Sequence, residues 1–170
     1  ELCQGQKVPE FKAAPQNGIT YTWYADISLK NKVGSGEKFL PPVDKNLLGT
    51  TNFFVTKTNT GCESDAGNLS VTVRQLPKMS LTWNNVCKDD LTGLSGTQFL
   101  ATELSQPSIT NLTYNWDFNV TNSLTYSSAG SGTNPQVSYN IDGKDSVLLI
   151  AKTPFECADT VKKPIYIVPK

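Results

Sequence analysis

The side chains with the widest chemical scope in this chain are four cysteines, Cys3, Cys62, Cys87 and Cys157, set among scattered carboxylates and three tryptophans, with no histidine. Lack of histidine removes Ser-His-Asp and Cys-His catalysis and every His-ligated metal site. No two cysteines form a CxxC pair, which disfavours structural zinc and thioredoxin-type redox chemistry. An even count in a Thr- and Asn-rich chain instead points to disulfides and an oxidising compartment. Pairing in sequence order gives Cys3–Cys62 and Cys87–Cys157, one bridge per half. Each would close a loop of about 60 to 70 residues, worth roughly 4 kcal/mol in the chain-entropy model. Four buried thiols in a reducing compartment are the alternative.

The carboxylates offer two further chemistries. Calcium needs six to eight converging oxygens, and Asp89, Asp90, Asp142 and Asp145 are the available ligands. None has EF-hand spacing, and solvated loop carboxylates account for them equally. No other metal and no cofactor is expected. Glycoside hydrolysis needs two carboxyls about 5 to 9 Å apart in a cleft, for which small sandwiches leave little room, so the chain reads as non-enzymatic. Among the aromatics, Tyr24, Trp83 and Tyr126 could stack on sugar C–H faces, while Trp23 and Trp116 have the inward parity of core residues. Phe39-Leu40-Pro41-Pro42-Val43 is the one loop stretch that could supply an apolar docking patch. Asn68, Asn111 and Asn119 open N-glycosylation sequons.

The elements that position these residues are strands. Of 170 residues, 47 are Thr (19), Ser (14) or Asn (14) and only 18% are charged, a bias toward strands and turns. Net charge is zero with one arginine, Arg74, which argues against nucleic acid and against an anionic membrane surface. The longest apolar runs, such as Val147–Ala151, are far short of a membrane span. Glu1-Leu2-Cys3-Gln4 does not open a signal peptide, and both ends read as cuts in a longer mature protein. Tyr21, Trp23 and Ala25 alternate with polar or half-polar neighbours, as do Leu69, Val71 and Val73, Met79, Leu81 and Trp83, and Tyr114, Trp116 and Phe118. This period of two marks strands with one buried face. Gln16-Asn17-Gly18, Val33–Gly36, Pro41-Pro42, Ser128–Gly132 and Asp142-Gly143 supply the turns.

The same order recurs in both halves: an early cysteine, an aromatic strand with tryptophan, a β-rich run, a second cysteine and a last strand. Trp23 to Cys62 is 39 residues and Trp116 to Cys157 is 41, which indicates two copies of one module. Pro77 in Arg74–Lys78 places the boundary there. The expected architecture is all-β, with two tandem antiparallel sandwiches over 1–76 and 77–170, each with one disulfide.

Tyr114-Asn115-Trp116-Asp117-Phe118, Pro135-Gln136-Val137-Ser138-Tyr139 and Asp142-Gly143 make the second half resemble a PKD-type domain, with Asn119-Val120-Thr121 where that family has Gly-Asp-Gly. Cys3, Tyr21-Thr22-Trp23-Tyr24, Thr51–Val55 and Gly61-Cys62-Glu63-Ser64 make the first half resemble the Ig-like modules of large secreted Bacteroidetes proteins. The alternation is similar to giant surface adhesins of the type IX secretion system, the SprB-type gliding adhesins. Asp145-Ser146-Val147 and Asp159-Thr160-Val161 resemble the O-glycosylation motif of such proteins, which would place sugars on Ser146 and Thr160. The resemblance implies non-catalytic repeat modules on a bacterial cell surface, acting as a stalk in adhesion or gliding. Their partners would be neighbouring modules of the same chain, with a surface polysaccharide as a further candidate, and neither nucleic acid nor membrane insertion. The alternative is a pair of carbohydrate-binding accessory modules from a secreted polysaccharide-degrading enzyme.

Overall fold

The computed structural model describes residues 1–84, 86–88, 97–118, 126–129 (backbone only), 132–139 and 141–169. It divides into two compact units, Glu1–Gln75 and Leu76–Lys170. Every regular element among the described residues is a strand.

Unit 1 holds β1 (Leu2–Cys3), β2 (Phe11–Lys12), β3 (Ile19–Tyr24), β4 (Lys32–Ser35), β5 (Lys38–Phe39), β6 (Gly49–Asn59), β7 (Cys62–Glu63) and β8 (Gly67–Arg74). The larger sheet runs β1-β8-β6-β3-β4, with β7 also paired to β6, and the smaller sheet is β2-β5. Alternation in β3 turns Tyr21 and Trp23 inward and Thr22 and Tyr24 outward. Trp23 meets Phe39, Phe53 and Val71 in the core, with Phe11 packed against them. The Trp23 and Phe39 rings are stacked at 5.0 Å and 14°. Burying each such aromatic contributes roughly 1.5 to 3 kcal/mol. The chain enters β3 through a turn in which the Ile19 amide donates to the Gln16 carbonyl at 3.1 Å. Gly18 there has φ +73°, a conformation other residues adopt at a cost.

Unit 2 holds β9 (Met79–Trp83), β10 (Thr97–Glu103), β11 (Thr113–Asp117), β12 (Tyr126–Ala129), β13 (Gln136–Tyr139), β14 (Gly143–Lys152) and β15 (Ala158–Ile167). Its sheets are β12-β13-β10-β9 and β11-β14-β15. Leu81, Phe99, Phe118, Val137, Tyr139, Val147, Ile165 and Ile167 fill the space between them. Edge strands β9 and β15 are tied across the sandwich by polar contacts. Lys163 Nζ donates to the Leu81 carbonyl at 2.8 Å, and the Met79 amide donates to Asp159 Oδ2 at 2.8 Å.

Both units share an Ig-like feature. The segment carrying the early cysteine lies parallel to the last strand: Cys3 opposite Arg74 in unit 1, Cys87 opposite Val168 in unit 2. The following amide donates in the same way each time, Gln4 to Arg74 at 2.8 Å and Lys88 to Val168 at 2.9 Å.

That register corrects the expected bridges. Cys3 and Cys157 are disulfide-bonded, whereas Cys62 and Cys87 are exposed free thiols, so neither Cys3–Cys62 nor Cys87–Cys157 forms and the units do not each carry an internal disulfide. The reason is distance along the sheet. Cys3 is next to Leu2, which through Val73 is level with Gly49, and Cys62 is level with Asn59 at the other end of β6. The separation is about 33 Å at ~3.3 Å per residue, against a Cα limit of about 7 Å for a disulfide. In unit 2, Cys87 pairs with Val168 beyond the end of β15, while Cys157 precedes its start, a comparable separation.

Candidate functional site

Of the residues singled out for ligand chemistry, Tyr24 lies on an outer sheet face, Trp83 at the edge of a core, Asp142 at the surface and Asp145 on an inward face. In unit 1 the outer face is lined with Thr and Asn; Thr50 and Thr72, opposite one another on β6 and β8, share a hydrogen bond of 2.9 Å. Tyr24 projects from this face beside Phe54, its cross-strand neighbour. The Tyr24 hydroxyl donates to Glu63 Oε1 at 3.2 Å, and the same oxygen accepts from Thr56 at 2.6 Å. Thr56 is 1% exposed although it points away from the core, so Tyr24, Phe54 and Glu63 form a small local cover over it. Glu63 is a contributor that no motif announced; only its place after Cys62 in the returning hairpin puts it there.

In unit 2, Trp83 is half-buried against the core. Its ring lies 6.0 Å from that of Phe99, and the Lys163 ammonium stands 5.9 Å above its centroid, within cation–π range. An open recess of about 350 Å³ is lined by Thr82, Trp83, Asn84, Gln98, Leu100 and Asn134. An aromatic residue among side-chain amides is suitable chemistry for sugar hydroxyls and C–H faces. Lys163, invisible to motif reasoning, is one of the groups against the Trp83 ring. The side chain of Tyr126 lies outside the described residues.

The stretch read as an apolar docking patch splits between core and solvent. Phe39 is in the core, Pro41 is buried and Val43 packs against the core, leaving Leu40 and Pro42 exposed.

The calcium candidates do not come together where they are described. Asp142 is exposed, 3.9 Å from the Lys88 ammonium. Asp145 is buried on the inward face of β14, and its Oδ1 accepts the Ser146 amide at 2.6 Å. Asp89 and Asp90 lie outside the described residues. Among the described residues no three acidic or sulfur ligands are grouped for a metal ion.

Ser146 and Thr160 occupy the outer face of the β14–β15 pair, opposite Pro164 and Ile150 respectively. Each follows an aspartate that accepts its amide, Asp145 at 2.6 Å and Asp159 at 2.8 Å. Thr160 is exposed and Ser146 half-buried. The sequon residues Asn68 and Asn111 are exposed, and Asn119 lies outside the described residues.

Glu103 is a multiply bonded carboxylate that the sequence did not mark. Burial of Glu103 opposes ionisation, but hydrogen bonds from Ser105, Ser108 and the Ile109 amide outweigh it and hold the carboxyl below its ordinary value. They organise residues 104–109, which include the cis Gln106–Pro107 bond. Burial, and then the Glu103 charge, raise the Tyr114 phenol. Asp26, in the β3–β4 turn, is lowered by the Ser28 hydroxyl and by the Asn31 and Lys30 amides. These carboxylates shape loops.

No helix of the described residues is long and apolar enough to cross a membrane. No curated protein matches the chain. Among solved structures, the chain is similar to the fibronectin(III)-like modules of Clostridium thermocellum CbhA, with 13% identity, TM-score 0.44, and 96% of this chain and 87% of that one covered. It is also similar to the D00-D0 domain of intimin, with 15% identity, TM-score 0.37, and 99% and 96% covered. Such scores and identities carry no argument about function. The model of the Ig-like domain described as CHU_C associated matches residues 1–77, so the first unit is an Ig-like module by sequence as well as by fold.

Proposed function

We propose that the two units are non-catalytic repeat modules of an extracellular, cell-surface adhesin, serving as a spacer in adhesion or gliding. The observation that carries this reading is the duplicated construction. Each unit has its own core, the same parallel pairing of the early-cysteine segment with the last strand, and the same use of its strand tryptophan. Trp23 Nε1 donates to the Gly36 carbonyl at 2.9 Å, and Trp116 Nε1 to the Gly132 carbonyl at 2.8 Å. Modules that fold around separate cores and repeat in series make a rod with bending confined to short linkers. Disulfide-bonded Cys3 and Cys157 suit an oxidising exterior. Assignment to a SprB-type adhesin, with a PKD-like second module, rests on family resemblance.

A carbohydrate-binding accessory role is the second reading, favoured by the recess beside Trp83 with its three amide side chains. Binding of the labelled chain to a panel of polysaccharides, with and without Ca²⁺, separates the two. The spacer reading expects no saturable binding. Saturable binding to one glycan class, abolished by Trp83→Ala or Tyr24→Ala with the fold retained, overturns it. Binding that needs Ca²⁺ would also overturn it, and would point to the aspartate loops.

A further inference from the structure

Strand β9 ends its sheet: β10 pairs with it on one side, and no strand among the described residues pairs with it on the other. The direction of each β9 backbone group follows from the flanks. The Lys78 carbonyl accepts the Leu104 amide at 2.7 Å and the Asn84 amide donates to the Gln98 carbonyl at 3.4 Å, so both residues face β10. In an antiparallel ladder the backbone groups of successive residues point to alternate sides, which turns those of Met79, Leu81 and Trp83 to the free edge. Two of these edge groups are taken, and by side chains rather than by a strand. Asp159 Oδ2 accepts the Met79 amide, and Lys163 Nζ donates to the Leu81 carbonyl. Asp159 and Lys163 stand on β15 with the inward parity of the core residues Ile165 and Ile167, and both are half-buried. Inward positions of a sandwich strand are ordinarily apolar. Two opposite charges at such positions, each bonded to the edge of the facing sheet, call for an explanation beyond packing.

We propose that Asp159 and Lys163 are a latch on a self-association edge: they hold β9 closed, and the occupant this edge takes when the latch is removed is β9 of a second copy of the chain, antiparallel and two-fold about Leu81. The strand itself selects that occupant. It reads Met79-Ser80-Leu81-Thr82-Trp83, with no charge and no proline. Self-pairing about Leu81 sets Met79 against Trp83 and Ser80 against Thr82, so apolar side chains meet on the core side, hydroxyls meet on the outer side and nothing repels. Such a contact uses the same edge twice and closes at a dimer. The edge strand β15 is unlike it, carrying Lys162 and Pro164, and proline has no amide to give a new neighbour. In the native chain the latch prevails for two reasons. Each of its bonds has one charged partner and is stronger than the amide–carbonyl bond that would replace it. A strand docking on β9 would also bury Asp159 and Lys163 stripped of their partners, which is costly, and inward-pointing charge is one of the ways a strand edge is guarded. The latch is independent of the spacer reading, and glycan binding bears on neither of its parts.

The test is sedimentation of the 170-residue chain beside its Asp159→Val, Lys163→Met double variant, with the exposed thiols of Cys62 and Cys87 alkylated and the fold of each checked by circular dichroism. Both replacements are apolar, as their inward positions suit, and neither can bond the β9 backbone. The native chain should sediment as a monomer and the double variant at about twice the mass, as a closed two-fold contact requires. Adding Ser80→Lys and Thr82→Lys to the double variant sets like charges opposite one another across the pairing and should return it to monomer. Mixing that chain with its Ser80→Glu, Thr82→Glu counterpart should restore the dimer. A folded double variant that stays monomeric, or association that ignores the charges placed on β9, would overturn the inference. So would a native chain that already dimerises through β9. Should the double variant not fold, Lys163→Met alone, which frees the Leu81 carbonyl, is carried through the same series at higher concentration, and the same outcomes decide.

Discussion

Gly34 sits directly across the β3–β4 ladder from Trp23, and its missing side chain is the space that the Phe39 ring occupies. A Cβ at Gly34 would lie 2.7 Å from Phe39 Cδ2. The stacked Trp23–Phe39 pair that anchors unit 1 therefore depends on a residue with no side chain.

Gly34→Ala should force Phe39 off Trp23 and destabilise unit 1 by about 1 to 3 kcal/mol, as overpacked cores do. Guanidinium unfolding followed by tryptophan fluorescence reads this directly. Gly61→Ala is the contrast. It has open space around the added methyl but a positive φ of +87°, so its penalty should be backbone strain alone, with the core signal intact.

Trp23→Phe keeps much of the ring volume but removes the donor to the Gly36 carbonyl. Leaving that carbonyl without its partner, together with the lost ring area, should cost about 2 to 3 kcal/mol. An unchanged denaturant slope would show that the loss is in the folded state. Equal stability would mean that the indole hydrogen bond contributes nothing.

Glu103 makes a pH prediction. Its carboxyl is lowered in the folded state, so the unfolded chain binds the proton more tightly. The contribution is complete above the ordinary carboxylate value of about 4.3 and disappears as pH falls through the lower folded value. Glu103→Gln should cost about 1 kcal/mol at neutral pH, given partial solvent exposure, and almost nothing in strong acid. A cost that does not shrink as pH falls would show that the charge is irrelevant.

Maleimide labelling of the native chain should modify Cys62 and Cys87 and spare Cys3 and Cys157 until a reductant is added. Mass spectrometry of the tryptic peptides settles which residues carry the label. Protection of Cys62 under native conditions would contradict its exposure.

Strand identity was largely legible because alternation is a local property. Tyr21, Trp23, Leu81 and Val71 all show their inward parity in the sequence and all are buried. The cysteine pairing was not legible, because order along the chain says nothing about which end of a sheet a residue reaches. Cys3 and Cys62 belong to strands of one sheet and still stand at its opposite ends. The small β2–β5 sheet escaped too, since two-residue strands have no period to detect, and Phe11 and Phe39 act there through ring packing rather than pattern. Lys163 and Glu63 matter through partners far along the chain, Leu81 and Tyr24, which no spacing encodes, and Glu103 through hydroxyls and amides two to six residues on, in a loop that no motif marks.

The parallel seating of the first strand against the last has a mechanical meaning. A pull on Leu2 and Arg74 draws β1 and β8 past one another along their length, so the bonds across that seam must be sheared together rather than opened one after another as in a hairpin. In unit 2 the Cys87–Val168 bridge is placed in the same sense. Single-molecule extension in a reducing buffer, where no disulfide carries load past the strands, should therefore show each unit yielding at a distinct force peak, and substituting proline for Gln4, which removes the donor to the Arg74 carbonyl, should lower the peak of unit 1 alone.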